Sequence, residues 1–155
     1  VLPNSHVALE FQMGMPMAVA NQLLSDVLFR EAPLFGGTGS YIEKQKARLK
    51  NGEVCIEDVR ADTLIRVKNC EISYRPTFLG GCSKVGRCDY FLLGDFTECL
   101  ICEGAIIQPE KVGHAIEAMT EELTLYSYGS GEYQVANGDL ERLLSFKARF
   151  IDKDV

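Results

Sequence analysis

Apolar positions early in the chain, Leu9, Met13, Ala20, Leu23, Leu24, Val27 and Leu28, recur near the helical period and predict helix over residues 7–30. Pro16 lacks an N–H and crowds the preceding turn, so a short element before it and a helix over 16–30 are expected. Pro33 with Gly36, Gly37 and Gly39 then predicts a loop. Ser40, with Glu43 three residues on, has the form of a capping box for a second helix. Lys44, Lys46, Arg48 and Lys50 lie on its wet face, and Asn51-Gly52 ends it.

Beyond Gly52 the pattern changes to alternation. Residues 53–57 and 63–68 read as strands joined by the polar stretch 58–62; in the second, Ile65 and Val67 alternate with Arg66 and Lys68. Residues 71–74 extend it, and 75–87, with Pro76, Gly80, Gly81 and Gly86, reads as a loop. Residues 88–107 are the most apolar part of the chain. The run exceeds a typical strand and has few β-branched residues before its end, so it is expected as a central buried helix, with Gly94 and Gly104 admitting another backbone. Pro109, favoured at the first helical position, opens a helix to about residue 122. Residues 123–128 read as a strand, 129–131 and 137–139 as turns, and the alternation of Leu144, Phe146, Ala148 and Phe150 as a terminal strand. Helices and strands are segregated. This predicts one α+β domain over residues 1–155, an antiparallel sheet packed by helices.

Composition adds limits rather than an activity. The 155 residues, 46% hydrophobic and 25% charged, match an ordinary globular domain able to bury a core without disulfides. A net charge of -6 argues against nucleic acid, whose binding rests on clustered Lys and Arg. No apolar run reaches the ~18–20 residues of a membrane span; the richest, 90–107, is interrupted by Asp95, Glu98 and Glu103. The first residues lack a basic segment followed by an apolar one, so a cytoplasmic protein with reduced thiols is expected.

Candidate chemistry is sparse. Cys82, Cys88, Cys99 and Cys102 supply the four thiolates zinc would take, although the gap from Cys82 to Cys88 is wider than the usual knuckle. The alternative is that these cysteines are small buried hydrophobes. Cys99 and Cys102 form a CxxC, but deep inside the expected helix rather than at its N-terminus, where a redox pair gains its low pKa. His6 and His114 have no neighbouring nucleophile and read as surface residues. Glu98 and Glu103 inside an apolar helix must be paired, face a cavity or lie on a wet stripe. The run Gly36-Gly37-Thr38-Gly39 lacks the Lys and the preceding strand of a phosphate loop and reads as a connector. Met13, Met15 and Met17 read as adaptable core or an apolar pocket wall.

Gly52, Ile65-Arg66-Val67-Lys68-Asn69-Cys70, the loop through Gly86, and Cys88-Asp89-Tyr90-Phe91-Leu92-Leu93-Gly94 together resemble the 4-vinyl reductase domain family. Gly138-Asp139 with Phe146-Lys147-Ala148-Arg149-Phe150 is similar to its closing strand, and to that of the small TRAPP vesicle-tethering subunits that share the fold. The resemblance implies an apolar cavity for a hydrocarbon or aromatic molecule and a sensing or carrier role, in a homodimer. Two other implied roles are a structural subunit of TRAPP-like fold and a reductase component acting on a tetrapyrrole vinyl group. Within the expected fold the ligand site falls to Phe91, Leu92, Phe96, Tyr126 and Tyr128, with Glu98 as its polar group. Zinc sites of the family's sensor domains begin with a Cys that Cys88 matches, but no cysteine follows Cys102 to complete them; Cys82 or Cys70 could substitute, though the spacing demands neither.

Overall fold

The structure, a computed structural model, describes residues 6–86, 88, 90 and 95–154. Helix α1 (His6–Leu23) passes into a π-helical turn at Leu24–Leu28; α2 (Gly37–Lys50) and α3 (Ile56–Lys68) follow. Strands β1 (Arg75–Thr77) and β2 (Gly80–Cys82) form a hairpin. A 3-10 helix (Phe96–Ile101) leads to β3 (Ala105–Ile107). Helices α4 (Pro109–Leu123) and α5 (Gly131–Phe146) follow, α5 running on through a π-helical turn at Lys147–Ile151 into a 3-10 turn at Asp152–Asp154. The sheet is antiparallel in the order β1-β2-β3, with Arg75 opposite Cys82 and Cys82 opposite Ala105. The class is therefore α+β, with many more helical than strand residues.

Strand β3 divides the interior in two. Successive side chains on a strand point to opposite faces. Ile106 joins a core made with Leu23, Leu24, Val27, Leu34, Ile42 and Tyr74. Ala105 and Ile107 join a second core with Leu79, Val112, Ala115, Leu143 and Phe146. The sheet is thus a thin layer between the N-terminal helices and the α4–α5 pair. Gly36 and Gly37 let α2 start directly against β3: Gly36 has φ +88°, and a β-carbon on Gly37 would strike the backbone of Glu103. Phe35 bridges to Ile107 by a reciprocal pair of backbone hydrogen bonds, 2.9 and 2.8 Å.

Several elements differ from expectation. Pro16 lies inside α1 without ending it. A proline disturbs one turn, and the helix beyond is held by the burial of Ala20, Leu23 and Leu24. The expected strands at 53–57 and 63–68 are replaced by α3. Its inward positions are Val59 and Thr63, one helical turn apart, whereas Ile65 is 55% exposed. Glu57 and Asp58 in the first turn and Arg66 and Lys68 in the last suit the helix dipole. The expected loop at 75–87 contains the β1–β2 hairpin. Pro76 is tolerated because β1 is an edge strand.

Of residues 88–107, expected as one buried helix, the described ones include a 3-10 helix and β3; Asp89 and 91–94 lie outside the described residues. A strand buried on both faces reads as an unbroken apolar run, which periodicity cannot separate from a buried helix. The expected strand at 123–128 is the end of α4 and the turn after it, with Leu125 80% exposed. The expected turn at 137–139 and the terminal strand lie in α5 and its π-helical extension. Ala136, Leu143 and Phe146 face inward at helical spacing, and Ser130 caps the helix by accepting the Tyr133 N–H at 3.2 Å.

Candidate functional site

Two hollows meet at the end of β2. Alternation along residues 82–84 turns Cys82 and Lys84 toward one and Ser83 toward the other.

The larger hollow, about 450 Å³, lies between α2 and α3. These consecutive helices rest on different supports, α2 on β3 and α3 on α1, so a cleft opens between them. Helical spacing places Thr38, Tyr41, Ile42 and Gln45 on its α2 wall and Val59, Thr63 and Arg66 on its α3 wall. Leu23, Leu28 and Ile72 floor it. At the inner end the Thr38 and Ser83 hydroxyls lie 2.7 Å apart. The rim is charged. Arg66 pairs with Asp62 at 3.0 Å and stands over the Tyr41 ring at 5.9 Å, spanning the cleft. Cys55, beside this rim, donates to Asp58 Oδ2 at 3.0 Å, and that hydrogen bond raises its thiol pKa.

The smaller hollow, about 330 Å³, is lined by Cys82, Cys88, Cys99, Cys102, Glu98 and Lys84, among others. Cys82 comes from the end of β2, Cys99 from the 3-10 helix and Cys102 from the turn before β3. Burial first, then the neighbouring sulfurs of Cys102, Cys82 and Cys88, pushes the Cys99 thiol up, while Arg75 pulls it down. Among the described residues, no group of three or more His, Cys, Asp or Glu side chains stands in position to hold an ion as placed.

Next to this hollow the 3-10 helix is tied to α5 by the buried Thr97. Its hydroxyl donates to Asp95 at 3.0 Å and accepts from Arg142 Nη1 at 3.1 Å. Burial raises the pKa of the adjoining Asp139 carboxyl; Arg142 opposes this and Asp95 adds to it.

The structure places the residues expected at a ligand site as follows. Glu98, Cys82 and Cys88 come together at the smaller hollow. Phe96 instead packs edge-on against Phe78, centroids 5.0 Å apart, over the second core. Tyr126 donates to Glu122 Oε1 at 2.6 Å. Tyr128 is 91% exposed and tilted against Tyr133 in the α4–α5 turn. Phe91 and Leu92 lie outside the described residues. His114 is exposed on α4, as expected of a surface histidine. Sequence reasoning missed the larger hollow. Its α3 wall falls partly in the polar stretch 58–62 and partly in the expected strand 63–68, and Tyr41, Gln45 and Arg48, one turn apart, carry the signal of a second face on α2.

No family model matches the chain, and no curated protein or solved structure matches it. Among the described residues no helix is long and apolar enough to cross a membrane.

Proposed function

We infer that this protein binds a small molecule in the cleft between α2 and α3, in a sensing or carrier role rather than as an enzyme acting alone. The observation that carries the reading is the cleft itself. Its volume of about 450 Å³ falls within the ~300–1,000 Å³ of small-molecule sites. An apolar floor of Leu23, Leu28 and Ile72 suits a hydrocarbon or aromatic body, the ligand class that the 4-vinyl reductase resemblance also implies. The Thr38–Ser83 hydroxyls and the Arg48 and Arg66 guanidiniums supply the few polar groups that orient such a body.

Native mass spectrometry of the purified protein, with a titration of the fluorescent anionic aromatic anilinonaphthalene sulfonate, tests this. One saturable site is expected. Gln45→Trp places an indole in the cleft from a half-buried position and should abolish that site while leaving the melting temperature within a few degrees of the parent. No saturable binding, or binding unchanged by Gln45→Trp, overturns the reading.

A second reading, an interaction subunit that pairs with its own copy, draws on the exposed Leu125, Tyr128 and Val135 around the α4–α5 turn. Light scattering at micromolar concentration that shows only monomer removes it.

A further inference from the structure

We propose that Cys99 and Cys102 are a dithiol that cycles to an intramolecular disulfide by exchange with a small-molecule disulfide entering the smaller hollow. The site is separate from the cleft between α2 and α3.

The end of the 3-10 helix (Phe96–Ile101) builds the pair. The Cys102 N–H donates to the Cys99 carbonyl at 3.3 Å, which closes a four-residue turn. Such a turn keeps its first and last α-carbons within about 7 Å of each other, and a disulfide joins α-carbons about 4.4–6.8 Å apart. With three residues per turn, side chains three apart also share one side of the helix. Both cysteines line the hollow, and both pack against the edge of the second core. The sequence pattern places this pair deep inside a helix; in the structure it stands where the helix ends, and the Cys102 backbone is already extended.

A small disulfide can reach the pair. Ile101, on the wall of the hollow beside Cys102, is 81% exposed, so this turn stands at the surface. The walls carry Lys84 together with Glu98 and Glu103. Both signs of charge complement a zwitterionic molecule such as glutathione, which bears carboxylates and an ammonium. The Arg75 guanidinium, 3.7 Å from Cys82 Sγ, also favours a thiolate at Cys99.

The two sulfurs divide the work. Burial pushes the Cys99 thiol up, so it stays protonated longer and serves as the resolving sulfur, leaving the attack to Cys102. The Cys102 thiolate, its proton passed to solvent, attacks one sulfur of the small disulfide. That S–S bond breaks, and one small thiolate leaves and takes up a proton. Cys99 then gives its proton to solvent and attacks the Cys102 sulfur, expelling the second small thiolate, which is protonated in turn. Two protein thiols become one disulfide, one small disulfide becomes two thiols, and two electrons pass to the small molecule. Only Leu100 and Ile101 separate the cysteines, so the bond removes little chain entropy from the unfolded state. It suits a pair that is reduced again rather than a structural staple.

Reduced protein treated with oxidised glutathione should lose two of its six thiols to a disulfide and regain them with dithiothreitol. Cleavage after Glu98 and Glu103 releases residues 99–103, and mass spectrometry should find the internal disulfide in that peptide. Cys99→Ser should stop the reaction with one glutathione held on Cys102. Cys102→Ser should abolish both the adduct and the disulfide at this site, whereas Cys88→Ser should leave the disulfide in place. Because a variant can fail to fold, the peptide map of the unaltered protein stands as a separate test. Glutathione found only on the exposed Cys55 and Cys70, with residues 99–103 still a dithiol, overturns the proposal. So does a disulfide that joins either cysteine to Cys82 or Cys88.

Discussion

A β-carbon added at Gly37 would strike the backbone of Glu103, whereas one added at Gly138, midway along α5, would meet nothing within 4 Å. The two glycines therefore have opposite consequences. Gly37→Ala should push α2 away from β3 and lower stability by about 1–3 kcal/mol, as overpacking does. Gly138→Ala should raise it by about 0.5–1 kcal/mol, because glycine in a helix interior gives the unfolded chain extra freedom. Chemical denaturation of the two variants measures both signs. The sequence showed both glycines but not the difference, since the backbone that crowds Gly37 comes from the far side of the connection 83–104. Thr97 is a similar case: nothing in its local sequence marks a residue that is 3% exposed, with its hydroxyl shared between Asp95 and Arg142.

At the scale of elements, the helix over Pro109–Leu123 and the end of α2 at Asn51-Gly52 were legible because local chemistry specifies them. Proline at the first position and a glycine after the last act whatever surrounds them. The segments of α3 and α5 were not legible. Over five or six residues an alternation such as Leu144, Phe146, Ala148 and Phe150 fits a strand, and only the longer spacing of Ala136, Leu143 and Phe146 is helical. The 3-10 helix depends on tertiary ties in the same way. Thr97→Val removes the hydroxyl shared with Asp95 and Arg142 and should cost about 1–2 kcal/mol. Hydrogen exchange should show faster amide exchange over Phe96–Ile101 than in α4. Unchanged protection there would mean that Phe96 and Leu100, packed on the second core, hold the helix without Thr97.

Across the whole molecule, Arg30, beyond the π-helical turn after α1, reaches Glu110 in the first turn of α4 and links the two sides of the sheet. Burial alone would raise the Glu110 pKa. The hydrogen bond from its own backbone and the Arg30 guanidinium outweigh it and hold the carboxyl below its ordinary value. A carboxylate lowered in the folded state contributes stability fully above its unfolded pKa and loses it as pH falls through the folded one. Glu110→Gln should therefore lower the melting temperature near neutrality and make no difference in acid, the gap closing below the ordinary glutamate range. Both groups are partly exposed, so the neutral gap should stay within about 1 kcal/mol. A gap of constant size across pH would show that the pair acts through packing instead of charge.

By itself the sequence determined the helix that opens at Pro109 and the end of α2 at Asn51-Gly52. Each is a property of composition or of a few adjacent residues. Tertiary structure decided which alternating segments became helices, how Ile106 and its neighbours divide the interior, and where the two hollows open. Short patterns fit both periods until a neighbouring surface selects the face that is buried. A cleft between α2 and α3, or a hollow lined by cysteines from β2 and the turn before β3, exists only once distant segments have been brought side by side.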